Sequence, residues 1–163
     1  MRLFSLINGW ALRNDYADAL VRLFTLFTIP VLATLLAALL ILVPRAPGVR
    51  SRPRIACAAL LSLLGCIGVA AAVNLFAARV LDCNILSPRP FVTHAVNTLL
   101  VEPNDNSFPS IEVMIAAALV VLLWAARPRL LGWLLPVAPA LAAGRIYCGI
   151  NYPVAVVAAF AMG

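Results

Sequence analysis

ALVRLFTLFTIPVLATLLAALLILV, residues 19–43, is the stretch whose reading decides the fold. It is 25 residues long and interrupted only by Arg22 and Pro30, whereas about 20 apolar residues suffice for a helix to cross a bilayer. Arg22 sits one turn in, where its aliphatic stem lets the guanidinium reach the headgroups. The loop that follows, Pro44 to Arg54, holds Arg45, Arg50, Arg52 and Arg54 and no acid. A second apolar run, Ile55–Leu81, spans 27 residues with only Asn74 and Arg79 strongly polar.

Further along the chain, a polar segment, Asp82–Ser107, leads to a third apolar helix at about Pro109–Ala126. The turn Arg127-Pro128-Arg129 then introduces a fourth, about Leu130–Tyr147, loosened by Pro136 and Pro139. The last piece, Tyr152–Gly163, has 12 residues. At helical rise it covers only about 18 Å, too little to span alone. Before the first span, residues 1–14 place Leu3, Leu6, Ile7, Trp10 and Ala11 on one helical face, with Arg2, Asn8, Arg13 and Asn14 largely elsewhere. That is the pattern of a short helix lying in the membrane interface. Its apolar part is too short for a cleavable signal, and Asp15 and Asp18 follow it.

The expected architecture is therefore an all-α polytopic bundle forming one domain over residues 1–163. It has about five membrane segments and an N-terminal interfacial helix. Composition agrees, since 64% of the 163 residues are hydrophobic and 11% charged. That is more apolar surface than a soluble domain of this size buries. All twelve basic residues are arginines, against six acids, for a net charge of +6. No basic patch is interleaved with exposed aromatics, so anionic lipid headgroups rather than nucleic acid are the expected counterpart. The arginine-rich loops 44–54 and 127–129 fall on one side and should face the cytoplasm. The acids Asp15, Asp18, Asp82, Glu102, Asp105 and Glu112 fall on or near the other, extracytoplasmic side.

Cys57, Cys66, Cys83 and Cys148 lack metal-ligand spacing, and with a single histidine no metal site or cofactor is expected. Cys57 and Cys66 read as small hydrophobes. Cys83 and Cys148 fall near outer helix ends and are either a disulfide or two thiols.

Three outer pieces converge at the rim of such a bundle. They are Ser87-Pro88-Arg89-Pro90-Phe91, then Ser107-Phe108-Pro109-Ser110-Ile111-Glu112, then Gly144-Arg145 through Asn151-Tyr152-Pro153. The second piece is by itself a good helix entrance, with polar capping residues, a proline and an early glutamate. Two arginines, a serine and a helix start can hold a phosphate through forked guanidinium contacts and first-turn amides. The same arginines can equally serve as interfacial anchors.

In order, helix-end placement and sidedness these blocks resemble the type 2 phosphatidic acid phosphatase superfamily and, within it, the bacterial undecaprenyl pyrophosphate phosphatases. The resemblance covers roughly residues 75–160. It implies phosphate-binding roles for Arg89, Ser110 and Arg145. It also implies a lysine where this chain has Asp82, and a motif glycine and histidine where it has Ile111 and Glu112. The nucleophilic histidine is replaced by Asn151, and the aspartate that orients it by Ala155. A carboxamide nitrogen has a delocalised lone pair and cannot attack phosphorus. Glu112 can in principle act as an acid, base or nucleophile, but a carboxylate beside a phosphate is repelled and neighbouring arginines keep it ionised. His94 is either a substitute nucleophile or a solvated loop side chain.

The resulting expectation is a catalytically degenerate relative that binds a lipid phosphate or polyprenyl phosphate, or that serves as an accessory subunit with a membrane protein partner in envelope lipid or glycan metabolism. An active phosphatase using altered residues and a purely structural subunit stay open beside it. Charge balance adds a structural expectation: Glu112 or Asp82 should lie within ion-pair distance of Arg89 or Arg145.

Overall fold

The computed structural model describes residues 2–42, 52–80, 89–93, 95–101 and 108–162. Asp82, Cys83 and His94, together with most of the 44–54 and 82–107 loops, lie outside the described residues. In chain order the helices are α1 (Arg2–Asn8), α2 (Asp15–Leu42), α3 (Arg52–Val80), α4 (Pro90–Thr93) and α5 (Ile111–Ala126). A 3₁₀ turn at Pro128–Leu130 is followed by α6 (Leu131–Leu134), α7 (Val137–Tyr147) and α8 (Pro153–Met162). Among the described residues there is no strand.

α5 is the hub, packing against α2, α3, α7 and α8. Its sequence explains why. Small and large apolar residues point inward over most of its circumference, leaving Val121 and Trp124 exposed, and Val113, Met114, Ala116 and Leu123 are fully enclosed. A helix that is apolar on every side has to be surrounded. Around it, Leu32 and Leu36 of α2, Ile55 of α3 and Leu141 of α7 form one buried cluster, while Phe4, Cys66, Ile146 and Val156 form another nearer the start of α5.

The outer helices turn their large side chains the other way. Leu20, Leu23 and Phe27 of α2 and Leu60, Leu61 and Leu64 of α3 are all more than half exposed. In water that surface would be an aggregation-prone patch, whereas against hydrocarbon it is the expected exterior. Among the described residues three segments are long and apolar enough to cross a membrane, Asp15–Ile41, Pro53–Val73 and Pro128–Tyr147. This refines the expected five segments. α5 has 16 residues, about 24 Å of helix at 1.5 Å per residue, and α8 has only 10. Both sit against other helices, so their ends need not reach both headgroup layers by themselves. The fourth segment is broken as Pro136 and Pro139 dictate, into a 3₁₀ turn, α6 and α7.

The N-terminal helix differs most from expectation. It ends at Asn8, and its inward face is Phe4, Asn8 and, in the turn beyond, Ala11, all buried. Leu3, Leu6 and Trp10 point outward and are about 60–66% exposed. Asn8, expected among the solvated polar residues, is 4% exposed and ties three parts of the chain together. Its Nδ2 donates to the carbonyls of Asn97 (2.7 Å) and Tyr147 (2.9 Å), and its Oδ1 accepts from the Asn97 amide (3.0 Å). Asn97 returns a bond to the Ala11 carbonyl at 3.0 Å. Nearby, Tyr147 donates its hydroxyl to Asp18 Oδ1 at 2.6 Å, and the other Asp18 oxygen accepts from the Leu12 amide at 2.9 Å. Burying these polar groups is tolerable because they satisfy one another.

Gly149 closes the same end. Its φ is +75°, and a Cβ there would come within 2.6 Å of the Asn97 carbonyl oxygen, which is fixed backbone. Gly65, in α3, would meet nothing within 4 Å. Gly149→Ala is expected to cost about 2 kcal/mol or more through strain and displacement of the 95–99 segment, whereas Gly65→Ala should be neutral or slightly stabilising. Unfolding followed by circular dichroism in mixed micelles distinguishes the two. Equal midpoints for the two variants would refute the close approach.

Candidate functional site

The site forms where the start of α5, the end of α7 and the turn into α8 meet. Ser110 holds the N-cap position of α5 with extended backbone, and the helix begins with the Met114 amide on the Ser110 carbonyl at 3.1 Å. The expected capping role of its side chain is not fulfilled. No cap bond forms, and the hydroxyl instead donates to Glu112 Oε2 at 3.4 Å. Ser110 is 1% exposed, and its amide donates to the Ala155 carbonyl of α8 at 3.4 Å.

Arg145, in the last turn of α7, is the centre of the arrangement. It is 3% exposed overall, and a guanidinium so enclosed needs a counter-charge and acceptors. Its Nη2 lies 3.1 Å from Glu112 Oε2, with side-chain exposures of 4% and 34% for the arginine and glutamate. Its Nε donates to Asn151 Oδ1 at 2.7 Å. This is the ion pair expected from charge balance, with Glu112 as its acidic member. One carboxylate oxygen thus receives both Arg145 Nη2 and the Ser110 hydroxyl.

Local sequence sets this geometry. Glu112 lies in the first turn of α5, where the helix dipole favours a carboxylate. Arg145 sits in the last turn of α7, where a cation is favoured for the same reason. The chain then turns back through Cys148, Gly149 and Ile150, with Ile150 N bonded to Arg145 O at 3.1 Å, so Asn151 returns beneath the arginine that it meets. Asn151 is 1% exposed and Ala155 equally buried.

Of the positions singled out from the sequence, Ser110, Glu112, Arg145 and Asn151 form one connected set, and Ala155 closes on it through backbone. Arg89 stands at the head of α4, 6% exposed, and its carbonyl accepts from the Val92 amide at 2.9 Å. Its Nη1 atom is enclosed with no acceptor in hydrogen-bond range, although other interactions engage the residue. Among the described residues no group of three or more His, Cys, Asp or Glu side chains could hold a metal ion. Cys148 is buried and Cys66 is buried in the helix core, whereas Cys57 is exposed on the outside of α3.

Sequence reasoning did not find the Asn8–Asn97–Tyr147 clamp beside the site. Asn8 and Asn97 are 89 residues apart, and nothing at either position signals the other. Chemically, the connected set offers an arginine, a hydroxyl and two acceptors. It contains no imidazole or thiol, and its one carboxylate is engaged by the arginine.

Comparison with known proteins follows this geometry. Residues 59–163 match the family model described as the PAP2 superfamily, so the chain belongs to that superfamily. It is 29% identical over 153 residues to undecaprenyl-diphosphatase BcrC of Bacillus subtilis (strain 168), covering 93% of this chain and 72% of that protein. Among solved structures, the crystal structure of Aquifex aeolicus LpxE superposes with a TM-score of 0.75 at 22% identity, covering 99% of this chain and 87% of that one. The second likeness is one of fold.

The Glu112–Arg145 pair should be measurable as a coupling. Glu112→Ala removes a carboxylate bonded to a buried guanidinium and is expected to cost about 3 kcal/mol, the low end for a broken buried pair because Glu112 is one-third exposed. Glu112→Gln keeps an acceptor and should cost less. A double-mutant cycle with Arg145→Gln is expected to give a coupling of about 1–3 kcal/mol. Additive losses would mean that the contact carries no stability.

Proposed function

We propose that this PAP2 superfamily member is a non-hydrolytic relative of the lipid phosphatases, whose pocket at the start of α5 takes the phosphate of a membrane lipid or polyprenyl phosphate. The observation that carries this reading is the Arg145 Nε bond to Asn151 Oδ1 at 2.7 Å. By its resemblance to the family, residue 151 stands where a nucleophile is needed. Here it is a carboxamide, its oxygen turned to the arginine, and its nitrogen has no lone pair to give phosphorus. Ala155 supplies no carboxylate to orient or polarise a base. Ser110 and Arg145 keep the donors that a phosphate oxygen uses, and Arg89 is proposed to face the same pocket.

A phosphate entering there competes with Glu112 for Arg145. Binding therefore exchanges one anion for another, which suits reversible capture of a lipid headgroup better than tight retention. Likeness to an undecaprenyl-diphosphatase makes a polyprenyl phosphate or pyrophosphate the first ligand to try. The expected setting is a bacterial inner membrane with the pocket on the extracytoplasmic side, opposite the arginine-rich loops. An accessory role beside a membrane enzyme that makes or consumes such lipids fits this placement. The closed Glu112–Arg145–Asn151 set also favours a second reading, in which the pocket is purely structural.

The test has two arms. Purified full-length protein is assayed for phosphate release from undecaprenyl pyrophosphate and from phosphatidic acid, beside Arg89→Ala. The expected result is release no greater than in the variant, and release above it would overturn the non-hydrolytic reading. Binding of the same lipids is then compared. Affinity is expected to fall roughly tenfold or more in Arg89→Ala, as for loss of a charge-assisted contact to phosphate. Equal retention by both proteins would favour the structural reading.

A further inference from the structure

The opposite end of the bundle carries a feature that the pocket around Arg145 does not use. α2 and α3 are both seated on α5, and between them, in the half nearer Leu42 and Arg52, lies an apolar groove of about 410 Å³. Its walls include Leu36, Ala37 and Leu40 from α2, Ala59 and Leu63 from α3, and Leu119 from α5. A second recess of about 330 Å³ adjoins it, lined by Arg54, Ile55, Ala58, Leu122 and Ala125. Leu122 lines both cavities, so they lie side by side.

Small residues line both sides of the groove, Ala33 and Ala37 on α2 and Ala56 and Ala59 on α3. Arg54 lies in the first turn of α3, at headgroup depth for a helix whose membrane-crossing segment begins at Pro53. Arg129 is exposed on the 3₁₀ turn after α5, at this same end. Among the described residues every carboxylate, Asp15, Asp18 and Glu112, belongs to the other end. The two cavities therefore pair a cationic mouth at Arg54 with a floor that is apolar but for Ser62.

We propose that this end binds one anionic phospholipid, its phosphate on Arg54 and one acyl chain in the groove between α2 and α3. The charge at the mouth selects the headgroup, since a guanidinium forks onto phosphate oxygens and each basic residue near the surface favours an anionic lipid. Alanines and leucines together line the floor and give an acyl chain an apolar bed. A lipid seated there fills the space between α2 and α3 that protein leaves open. This site is separate from the Arg145 pocket and independent of whether that pocket binds or hydrolyses anything.

The test uses full-length protein in nanodiscs of equal parts phosphatidylcholine and phosphatidylglycerol, released into the gas phase for native mass spectrometry. Wild type is expected to retain one phosphatidylglycerol per chain in preference to phosphatidylcholine. Arg54→Gln should lower that retention roughly fivefold, the worth of one basic residue at the surface, and Ala59→Phe, which fills the groove, should lower it at least as far. Ala37→Phe serves in its place should Ala59→Phe fail to give monodisperse protein. Arg13→Gln, an exposed arginine at the opposite end of the bundle, should leave phosphatidylglycerol retention unchanged. Equal retention of the two lipids by wild type would overturn the proposal. So would retention that survives both Arg54→Gln and the groove-filling change, or that is lost in Arg13→Gln and kept in Arg54→Gln.

Discussion

A guanidinium that is 3% exposed in a bundle of apolar helices is the constraint from which the rest of this end follows. Left alone, such a charge would cost several kcal/mol in desolvation. Glu112 and Asn151 remove most of that penalty, one by charge and one by a short hydrogen bond. To do so, the first turn of α5, the last turn of α7 and the entry to α8 must meet at one point. The Ser110 amide on the Ala155 carbonyl, the Ile150 amide on the Arg145 carbonyl and the left-handed Gly149 are the local consequences. α1 is then drawn in from the side, because the Tyr147 carbonyl and the Asn97 peptide are satisfied by Asn8.

The same constraint bears on function. In a phosphate-binding pocket the arginine's counter-charge is supplied by the ligand. Here the chain provides its own, from a residue that also suits the positive end of the α5 dipole. Residues 112 and 151 act together: an asparagine oxygen accepts from Arg145 Nε, and a glutamate oxygen accepts from Nη2.

Much of this was legible in the sequence. The runs beginning at Ala19, Ile55 and Pro109 announce themselves by length and by their lack of charge, and helix ends fell within a few residues of the prolines and arginines that set them. The spacing of Ser110, Glu112, Arg145 and Asn151 also indicated that they converge, because each lies at a helix end and all ends share a side. Other features could not be read. The orientation of α1 depends on Asn8 reaching partners 89 and 139 residues away, and its apolar periodicity misled because Leu3, Leu6 and Trp10 face outward, where a membrane-embedded helix can also place them. Ser110 looked like a helix cap, yet its hydroxyl turns to Glu112, a choice decided by tertiary neighbours. The groove between α2 and α3 was invisible for the same reason, since alanines in an apolar run do not reveal whether they meet a helix or a gap.

The central claim is that Glu112 occupies the position on Arg145 that a phosphate would take, and equilibrium binding of a soluble prenyl monophosphate to wild type and Glu112→Gln tests it most directly. Removing one negative charge at this distance is worth at least about 1 kcal/mol, so the variant, with its fold verified, should bind at least roughly fivefold more tightly. Unchanged or weaker binding by a folded Glu112→Gln protein would contradict the account.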